Sequence, residues 1–241
     1  MASIVILSST RQELKFFFNY FTDLKPIIKN GITFLHGTLA KHDIFLAIAG
    51  IGMVNSAVIS TLAVQQLQPA LLIFCGVAGG VNSSVNIGDV VITSEVGQPE
   101  LLTLSEQFAG TPFYEFLEHP HKQCMQPNWL PAIKFKPYEN KFADFTVHTG
   151  RIASSDQFPS PQKEYALLLD SHVLAIDMET SALFQAGWVT NTPTLAVRGI
   201  SNCLLEDGTD PDMHHADIEQ APLRAAQVCM DLITTFVEQA N

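Results

Sequence analysis

Residues 71–92 read LLIFCGVAGGVNSSVNIGDVVI, and the fold of the chain is organised around this stretch. Its first part, residues 71–75, is a short apolar run between Pro69 and a glycine, which is typical of a buried strand. Glycines follow at positions 76, 79 and 80, and because they carry no Cβ, a ligand can approach the backbone there. The same glycines are also typical of a tight turn in an α/β protein, so the pattern alone leaves both interpretations open.

The second part of the stretch predicts another strand. Gly88 and Asp89 turn the chain into residues 90–93, which are rich in β-branched side chains. The glycines do not have the GxGxxG spacing of a dinucleotide-binding turn. The pattern therefore favours a small-molecule crevice at the end of a buried strand over a dinucleotide site.

The composition excludes several classes of function. With 241 residues, 47% hydrophobic and 15% charged, the chain fits one domain over residues 1–241 with a large core. A net charge of −11 without any basic block argues against nucleic-acid binding. No apolar run has the length of a membrane span, and the first residues lack the basic start of a signal peptide. Four cysteines far apart, without CxxC spacing, are typical of reduced thiols, so we expect a cytoplasmic protein.

The amino-terminal half predicts alternating strands and helices. Residues 4–7 form an apolar strand, and residues 8–10 can cap a helix with Glu13 in its first turn and an apolar face at Leu14, Phe17, Phe18 and Phe21. Residues 32–35 and 44–47 predict the two arms of a hairpin. Met53–Leu67 predicts a helix, whose inner side we expect to carry Val54, Ala57, Val58, Leu62 and Val64.

The carboxyl-terminal half continues the alternation after an irregular segment. Six prolines interrupt residues 95–141, which we expect to form a lid or a subunit contact with short helices. The elements predicted beyond it are strands 146–153, 173–176 and 194–197 and helices 163–170, 177–186 and 218–238. This alternation defines an α/β fold with a mostly parallel core sheet. In such a fold the polar clusters at strand ends converge on one crevice; they are residues 76–80, 154–158, 177–179 and 198–202.

These clusters, in this order, resemble the nucleoside phosphorylase and nucleosidase superfamily, and within it the methylthioadenosine/S-adenosylhomocysteine nucleosidases. The residues that carry the resemblance are GIG at 50–52, GVAGGVNSSVNIGDVVI at 76–92, ASSDQF at 153–158, AIDMETSAL at 175–183 and VRGISN at 197–202. Each motif alone is weak, but five in the right order are specific for the superfamily, though not for the substrate. The resemblance implies a single-domain three-layer αβα sandwich with a twisted, mixed central sheet.

The resemblance also implies the chemistry of the site. Glu13 matches the general base that activates the attacking water, and Phe158 matches the aromatic that stacks on the base. Met178 and Glu179 match the pair that holds the ribose, with Glu179 on its 2′- and 3′-hydroxyls. Cleavage of a ribosyl C–N bond passes through an oxocarbenium-like state, so carboxylates near the sugar suit this reaction.

Further residues match supporting positions. The backbone of Ala78 and Gly79 is similar to the segment beside base and ribose, and Arg198 and Ser201 match residues that support the site. The implied activity is N-glycosyl hydrolysis of a purine nucleoside by an enzyme that needs no metal or organic cofactor. The implied partner is a second copy of the chain, with a dimer favoured.

The first departure from the family pattern concerns the nucleophile. The phosphorylases of this superfamily place an arginine and a serine at the glycine-rich turn to hold phosphate, and here those positions carry Phe74 and Val77. Neither side chain can bind a dianion, so hydrolysis is favoured. Arg11, near Glu13, is the residual phosphate candidate that keeps phosphorolysis as the alternative.

The second departure is Asn202, which stands where many relatives carry an aspartate. An amide does not act as a general acid at neutral pH, but it offers donors and an acceptor that pair with O6 and N7 of a 6-oxopurine. We therefore expect a futalosine- or inosine-like substrate rather than an adenine nucleoside. A catalytically silent nucleoside binder is the other alternative, although retention of Glu13 and Glu179 argues against it.

Simpler explanations exist for the same residues when the resemblance is left aside. Glu179 suits the dipole of a helix start, Phe158 suits a core, and Asn202 suits a loop cap. The polar residues Asp207, Asp210, Asp212, His214 and His215 lack the spacing of a known metal motif. We expect them to form a solvated loop, and we predict no metal site.

Overall fold

The computed structural model describes residues 3–21, 23–81, 83–101, 129–157, 162–205, 209 and 216–239. Its strands are β1 (Ser3–Ser8), β2 (Lys25–Lys29), β3 (Ile32–Leu39), β4 (His42–Ile48), β5 (Leu71–Gly80), β6 (Val90–Gly97), β7 (Leu130–Pro131), β8 (Val147–Ser154), β9 (Val173–Asp177) and β10 (Thr194–Cys203). Its helices are α1 (Arg11–Leu14), which continues as a 3-10 turn over Lys15–Asn19, α2 (Met53–Leu67), α3 (Gln162–Asp170), α4 (Thr180–Thr190) and α5 (Gln220–Gln239).

The strands form one mixed sheet with β5 at its centre. On one side of β5 the order is β1, β4, β3 and β2, where β1 pairs parallel with both β5 and β4. On the other side β5 pairs with β10 and with β9, and the pairs β10–β6, β6–β8 and β8–β9 complete a closed ring of five strands. The predicted α/β class with a mixed sheet is confirmed, and the closure of the ring is an addition that the sequence pattern did not indicate.

Two cores cover the two faces of the sheet. Along β1, Ile4 and Ile6 enter one core while Val5 and Leu7 enter the other, as the alternation of a strand requires. The first core is closed by α5 and the second by α2 and α4. Strands buried on both faces read as continuous apolar runs, which is why residues 71–75 stood out in the sequence. That the whole chain is a single domain stays a prediction.

The prediction for the inner side of α2 is wrong in part. The helix has the predicted bounds, but Val54 and Val58 are 73% and 51% exposed, while Ser56, Ser60 and Ala63 are buried. These small side chains let α2 pack closely against α4, and the hydroxyl of Ser56 donates to the carbonyl of Glu179. The larger valines are left on the outer face.

Two further boundaries differ from the prediction. The glycines at 76, 79 and 80 lie inside β5, and residues 198–202 lie inside β10, because these two strands pair along their whole length. The helix after β1 is a single α-turn followed by a 3-10 turn, in which Phe17 is buried. In the described part of the chain, no helix is both long and apolar enough to cross a membrane.

Candidate active site

A pocket of about 290 Å³ opens at the carboxyl ends of the central strands. It lies where β1, β5, β9 and β10 end, which is the predicted position of the crevice. Its lining includes Ser9, Thr10, Gln12, Glu13, Ile51, Val77, Ala78, Gly79, Ile176, Asp177, Met178, Glu179, Ser201, Asn202, Ile218 and Pro222. Three of these residues are carboxylates, and none of the described lining residues is a lysine, an arginine or a histidine.

Glu13 is held at the pocket by three hydrogen bonds from uncharged donors. Its Oε2 accepts from the backbone N–H of Thr10 at 2.9 Å and from the Thr10 hydroxyl at 3.1 Å. Its Oε1 accepts from the backbone N–H of Val77 at 3.0 Å. The Thr10 hydroxyl in turn accepts from the backbone N–H of Glu13, which completes a capping box at the start of α1. The residue is only 7% exposed.

Gly76 makes this position of Glu13 possible. A Cβ at residue 76 would lie 2.3 Å from Oε1 of Glu13 and 2.8 Å from Nη1 of Arg198. Real Cβ atoms do not approach other atoms so closely, so any larger residue would displace the carboxylate or the guanidinium. The glycine therefore serves close packing inside β5 rather than a turn.

Glu179 lies at the junction of β9 and α4 and is held quite differently. Its Oε1 accepts from the backbone N–H of Gly52 at 3.0 Å, and its Oε2 faces Nη2 of Arg198 at 3.3 Å. The residue is 4% exposed and Arg198 is fully buried. Arg198 does not belong to the described pocket lining; it lies behind Glu179, with its guanidinium 4.4 Å from the ring centroid of Phe74.

Asp177 contacts both Arg198 and the backbone of Glu179. Its Oδ2 lies 2.6 Å from Nη2 of Arg198 and also accepts from the hydroxyl of Thr180. Its Oδ1 accepts from the Ser154 hydroxyl at 2.5 Å and from the backbone N–H groups of Glu179 and Thr180 at 3.2 Å. A buried carboxylate with these partners fixes the start of α4, and with it the position of Glu179.

The surroundings shift the pKa values of Glu179 and Arg198. Burial raises the pKa of Glu179, Arg198 opposes this shift, and the neighbouring Asp177 adds to it. Burial alone would lower the pKa of Arg198, but the carboxylates of Asp177, Glu179 and Glu13 outweigh it and raise that pKa. One guanidinium thus faces three carboxylates, which leaves the site with an excess of negative charge.

Asn202 and Ser201 reach the pocket together because β10 is irregular at this point. Successive residues of a regular strand point to opposite faces, yet both side chains line the pocket. The pairing with β5 slips between Ile200 and Asn202, and this bulge turns both side chains to one side. Ser201 Oγ lies 2.7 Å from Asn202 Oδ1, a distance typical of an O–H···O bond, so the serine hydroxyl donates to the amide oxygen.

The structure brings together nearly all of the residues predicted for the site. Ala78, Gly79 and Met178 line the pocket beside Glu13, Glu179, Ser201 and Asn202. Arg11, the residual phosphate candidate, lines a different cavity with Leu14 and Phe18. Phe158 and the polar residues 207, 210, 212, 214 and 215 lie outside the described residues. The roles of the site residues stay predictions.

Sequence reasoning did not predict the contacts of three residues of the site. The sequence predicts Thr10 as a helix cap, Asp177 as a member of the polar cluster at residues 177–179 and Gly52 as part of the GIG motif at residues 50–52. The pattern T-x-x-E at residues 10–13 is the signature of a capping box and could have indicated the contact between Thr10 and Glu13. No local signal indicates the contacts of Asp177 and Gly52, which depend on the tertiary fold.

The described residues contain no group of three histidine, cysteine, aspartate or glutamate side chains placed to hold a metal ion. The carboxylates of the pocket are instead engaged by backbone amides, hydroxyls and Arg198. The arrangement can hold a polyhydroxylated ring against negative charge and can position one water beside it.

A mixed sheet with a pocket at the carboxyl ends of its central strands matches the fold of the nucleoside phosphorylases and nucleosidases. The sequence model of the Phosphorylase superfamily matches residues 3–238, and the chain belongs to this superfamily. The resemblance drawn from the five sequence motifs is thereby confirmed.

Relatives of known name narrow the comparison from the superfamily to one kind of enzyme within it. The chain is 27% identical over 235 residues to the 5′-methylthioadenosine/S-adenosylhomocysteine nucleosidase of Maridesulfovibrio salexigens, covering 95% of this chain and 98% of that protein. It is 26% identical over 234 residues to the nucleosidase of the same name from Staphylococcus aureus, covering 96% and 99%. These relatives confirm the prediction of an N-glycosyl hydrolase and do not favour a phosphorylase or a silent binder.

Solved structures share the fold. The methylthioadenosine/S-adenosylhomocysteine nucleosidase of S. pneumoniae, solved with a transition-state inhibitor, superimposes with a TM-score of 0.75 at 24% identity, covering 94% of this chain and 96% of that one. The futalosine hydrolase of Helicobacter pylori strain 26695 superimposes with a TM-score of 0.77 at 19% identity, covering 97% and 98%.

Proposed function

We propose that this chain hydrolyses the N-glycosidic bond of a 6-oxopurine nucleoside and releases the free base and a ribose derivative. The observation that carries the reaction type is the pocket lining, which has Glu13, Asp177 and Glu179 but no described cation. Phosphate is a dianion near neutral pH, and these carboxylates would repel it. Water, by contrast, needs only a base and a position, and Glu13 offers both.

In the proposed mechanism each carboxylate has its own task. Glu179 accepts hydrogen bonds from the 2′- and 3′-hydroxyls. Its charge stabilises the positive charge that develops on the sugar as the C1′–N bond breaks. Glu13 takes a proton from water while the water oxygen bonds to C1′. The bond electrons pass to the purine, which gains a proton from solvent, and Glu13 then releases to solvent the proton that it took, so that one water is added across the bond. Phe158 is proposed to stack on the base.

Asn202 is proposed to select the base. Its amide oxygen accepts from Ser201 Oγ at 2.7 Å, and its amide nitrogen is a donor. An NH₂ group donates, and a 6-oxopurine presents two acceptors, O6 and N7, where adenine presents an amino group beside N7. A site that offers a donor favours the 6-oxopurine. With adenine, the Asn202 NH₂ would face the 6-amino group, and both donors would be left unsatisfied.

The test compares substrates that differ only at C6, namely 5′-methylthioinosine and 5′-methylthioadenosine, together with inosine, adenosine and futalosine. Each is incubated with and without phosphate, and base and sugar products are quantified. We expect equal rates with and without phosphate, free sugar rather than a sugar phosphate, and faster release of the 6-oxopurine. Sugar 1-phosphate would contradict hydrolysis, and faster release of adenine would contradict the assignment of the base.

A matched variant isolates Asn202. In Asn202→Asp a carboxyl group can accept from a 6-amino group and, when protonated, donate to N7. We expect the preference between the two methylthio substrates to move toward adenine by about tenfold or more, since each hydrogen-bond mismatch costs roughly 1–3 kcal/mol. An unchanged preference would show that Asn202 does not read the base.

Adenine nucleosides are the second candidate substrates. Two relatives that align over nearly the whole chain bear the names of methylthioadenosine and S-adenosylhomocysteine. The C6 comparison decides between this candidate and the 6-oxopurine.

We also propose that the protein acts as a cytoplasmic homodimer. The outer face of α2 and the loop before it expose Ile51, Val54 and Val58, and Ile51 also lines the pocket. An apolar helix face of this kind is typical of a subunit contact. Cys75 and Cys229 are buried thiols outside any disulfide, as expected in a reducing compartment. Light scattering should give twice the chain mass, and Val54→Lys should reduce it; a monomeric parent protein would contradict the proposal.

A further inference from the structure

Thr10 holds Glu13 through two separate donors. Its backbone N–H and its hydroxyl both donate to Oε2, at 2.9 and 3.1 Å. The same hydroxyl accepts from the backbone N–H of Glu13 at 3.3 Å, so it is engaged on both sides. Thr10 itself lines the pocket. The threonine therefore lines the same pocket as the carboxylate that it holds.

These contacts leave Glu13 with a restricted way to act as a base. A carboxylate offers about four lone-pair positions. Among the described residues, the two on Oε2 are occupied by Thr10 and one on Oε1 by the backbone N–H of Val77. The position that remains for a water molecule is the second one on Oε1. The direction in which Glu13 can take a proton is thus determined by its neighbours.

We propose that Thr10 is a positioning residue of this enzyme, whose hydroxyl fixes the Glu13 carboxylate so that only Oε1 can accept the proton of the attacking water. The inference rests on the proposed hydrolysis with Glu13 as the base. The hydroxyl itself does not touch the reacting atoms. It acts by removing the alternative orientations of the carboxylate, in which the water would be bound away from C1′.

The local structure explains why a hydroxyl is needed here. α1 is a single turn of four residues, and so short a helix does not hold its own residues in place. Without the hydroxyl, Oε2 would keep the backbone donor of Thr10 but regain one open position. The carboxylate could then bind water on either oxygen. A displacement of a reacting group by about 1 Å can cost on the order of 100-fold in rate.

The first experiment compares three variants in the full-length protein. Thr10→Val removes the hydroxyl and keeps the shape and the backbone N–H, and Thr10→Ser keeps the hydroxyl. Thr234→Val makes the same change on the exposed side of α5, where Thr234 donates to the carbonyl of Met230. We expect kcat to fall roughly 10- to 100-fold in Thr10→Val with KM changed less than about twofold. Thr10→Ser and Thr234→Val should stay within about threefold of the parent.

A loss of kcat could also arise if the variant were only less stable. Each variant is therefore compared at a temperature well below its measured Tm, and Thr10→Ala serves as a second variant if Thr10→Val does not fold. An equal loss of kcat in Thr10→Ser, or an unchanged kcat in Thr10→Val, would overturn the proposal.

The second experiment is a double-mutant cycle with Glu13→Gln. If Thr10 acts through the carboxylate, Thr10→Val should lower the residual rate of Glu13→Gln by less than about twofold, because the effects of residues that act as a unit do not add. The same 10- to 100-fold loss in both backgrounds would overturn the proposal. A fully active Glu13→Gln would instead refute the proposed role of Glu13, so the two failures are distinguishable.

Discussion

The two glutamates of the pocket lie in opposite kinds of surroundings. Glu13 is held by backbone N–H groups and one hydroxyl, all uncharged, at the end of β1. Glu179 is held by a buried guanidinium and a backbone N–H, beside a second carboxylate, at the end of β9. Both are nearly inaccessible to solvent, at 7% and 4% exposure.

The difference teaches how one residue type can serve two roles in one pocket. Uncharged donors make the hydrogen bonds that orient the Glu13 carboxylate, and Arg198 acts on it only through space, which suits a group that must take up a proton. A guanidinium opposes the rise in the pKa of Glu179 that burial causes and so favours its anionic form, which suits a group that binds hydroxyls and stabilises positive charge.

The largest effect is expected when each glutamate is changed to glutamine. Glu13→Gln should lower kcat by roughly a thousandfold while substrate affinity changes less than about threefold, since general-base catalysis contributes about 10²–10⁴-fold. Glu179→Gln should lower both kcat and substrate affinity, because it binds the sugar in the ground state as well. Steady-state kinetics and calorimetric binding check both variants, and similar behaviour of the two would contradict the contrast.

The next effect concerns Gly76, which lies between the Glu13 carboxylate and the Arg198 guanidinium. Gly76→Ala should lower kcat by about 100-fold and destabilise the fold by roughly 1–3 kcal/mol, because its Cβ overlaps Oε1 of Glu13. Gly37→Ala is the control, since its Cβ meets the flexible end of Leu24 at 3.0 Å. Kinetics and urea unfolding measure both properties. Normal activity of Gly76→Ala would show that the carboxylate has more freedom than its contacts indicate.

A third prediction removes the guanidinium. Arg198→Met should cost about 3–5 kcal/mol of stability, because it leaves buried carboxylates without their counter-ion. It should also raise the pKa of Glu179 further, since Arg198 opposes the rise that burial causes. As the pH is lowered, the kcat of the variant should therefore begin to fall at a higher pH than the kcat of the parent protein. A pH–rate profile with an unchanged acid limb would show that Glu179 does not limit the rate.

The sign of the linked stability follows from the same shift. A carboxyl group whose pKa is raised in the folded state holds its proton more tightly there than in the unfolded chain. Its contribution to stability is present at acid pH and is lost as the pH rises through the folded-state pKa. In Arg198→Met this loss should extend to higher pH, which urea unfolding at a series of pH values can detect.

The smallest effect is expected at the start of α2. The N-cap residue Gly52 has no side chain that could cap this helix. Asp156 caps it instead, because its Oδ1 accepts from the backbone N–H of Met53 at 2.8 Å. Asp156→Ala should lower stability by about 1 kcal/mol, as the loss of a helix cap does. Its kcat should stay within about threefold, since Gly52 keeps its contact with Glu179. Thermal unfolding and kinetics test this; a large loss of kcat would show that the cap also positions Glu179.

Much of this molecule could be predicted because its strands are buried on both faces. Such strands read as apolar runs, and the polar residues at their ends mark the crevice without any tertiary information. The bounds of α2 were predicted because a long segment without glycine or proline follows Gly50 and Gly52. Its orientation was not, because burial there follows side-chain size, with Ser56 and Ser60 inside and Val54 outside.

The contacts that finish the site could not be read from the sequence. Asp177 and Arg198 are 21 positions apart and meet only because β9 and β10 both border β5. The bulge that turns Ser201 and Asn202 to one side depends on the register with β5, which no local pattern encodes. Thr10 is the exception, since its capping pattern with Glu13 is local and visible.

The closed ring of strands has a consequence for the order of folding. β5 pairs with β10, which begins more than a hundred residues later in the chain, and β10 is also the partner of β6. During synthesis, the edges of β5 and β6 that β10 will cover remain open until residue 203 has left the ribosome. Open strand edges are sites of association between chains. The nascent protein therefore covers this exposed edge late, in the step that also brings Ser201 and Asn202 to the pocket, and contacts so distant in sequence favour slow folding.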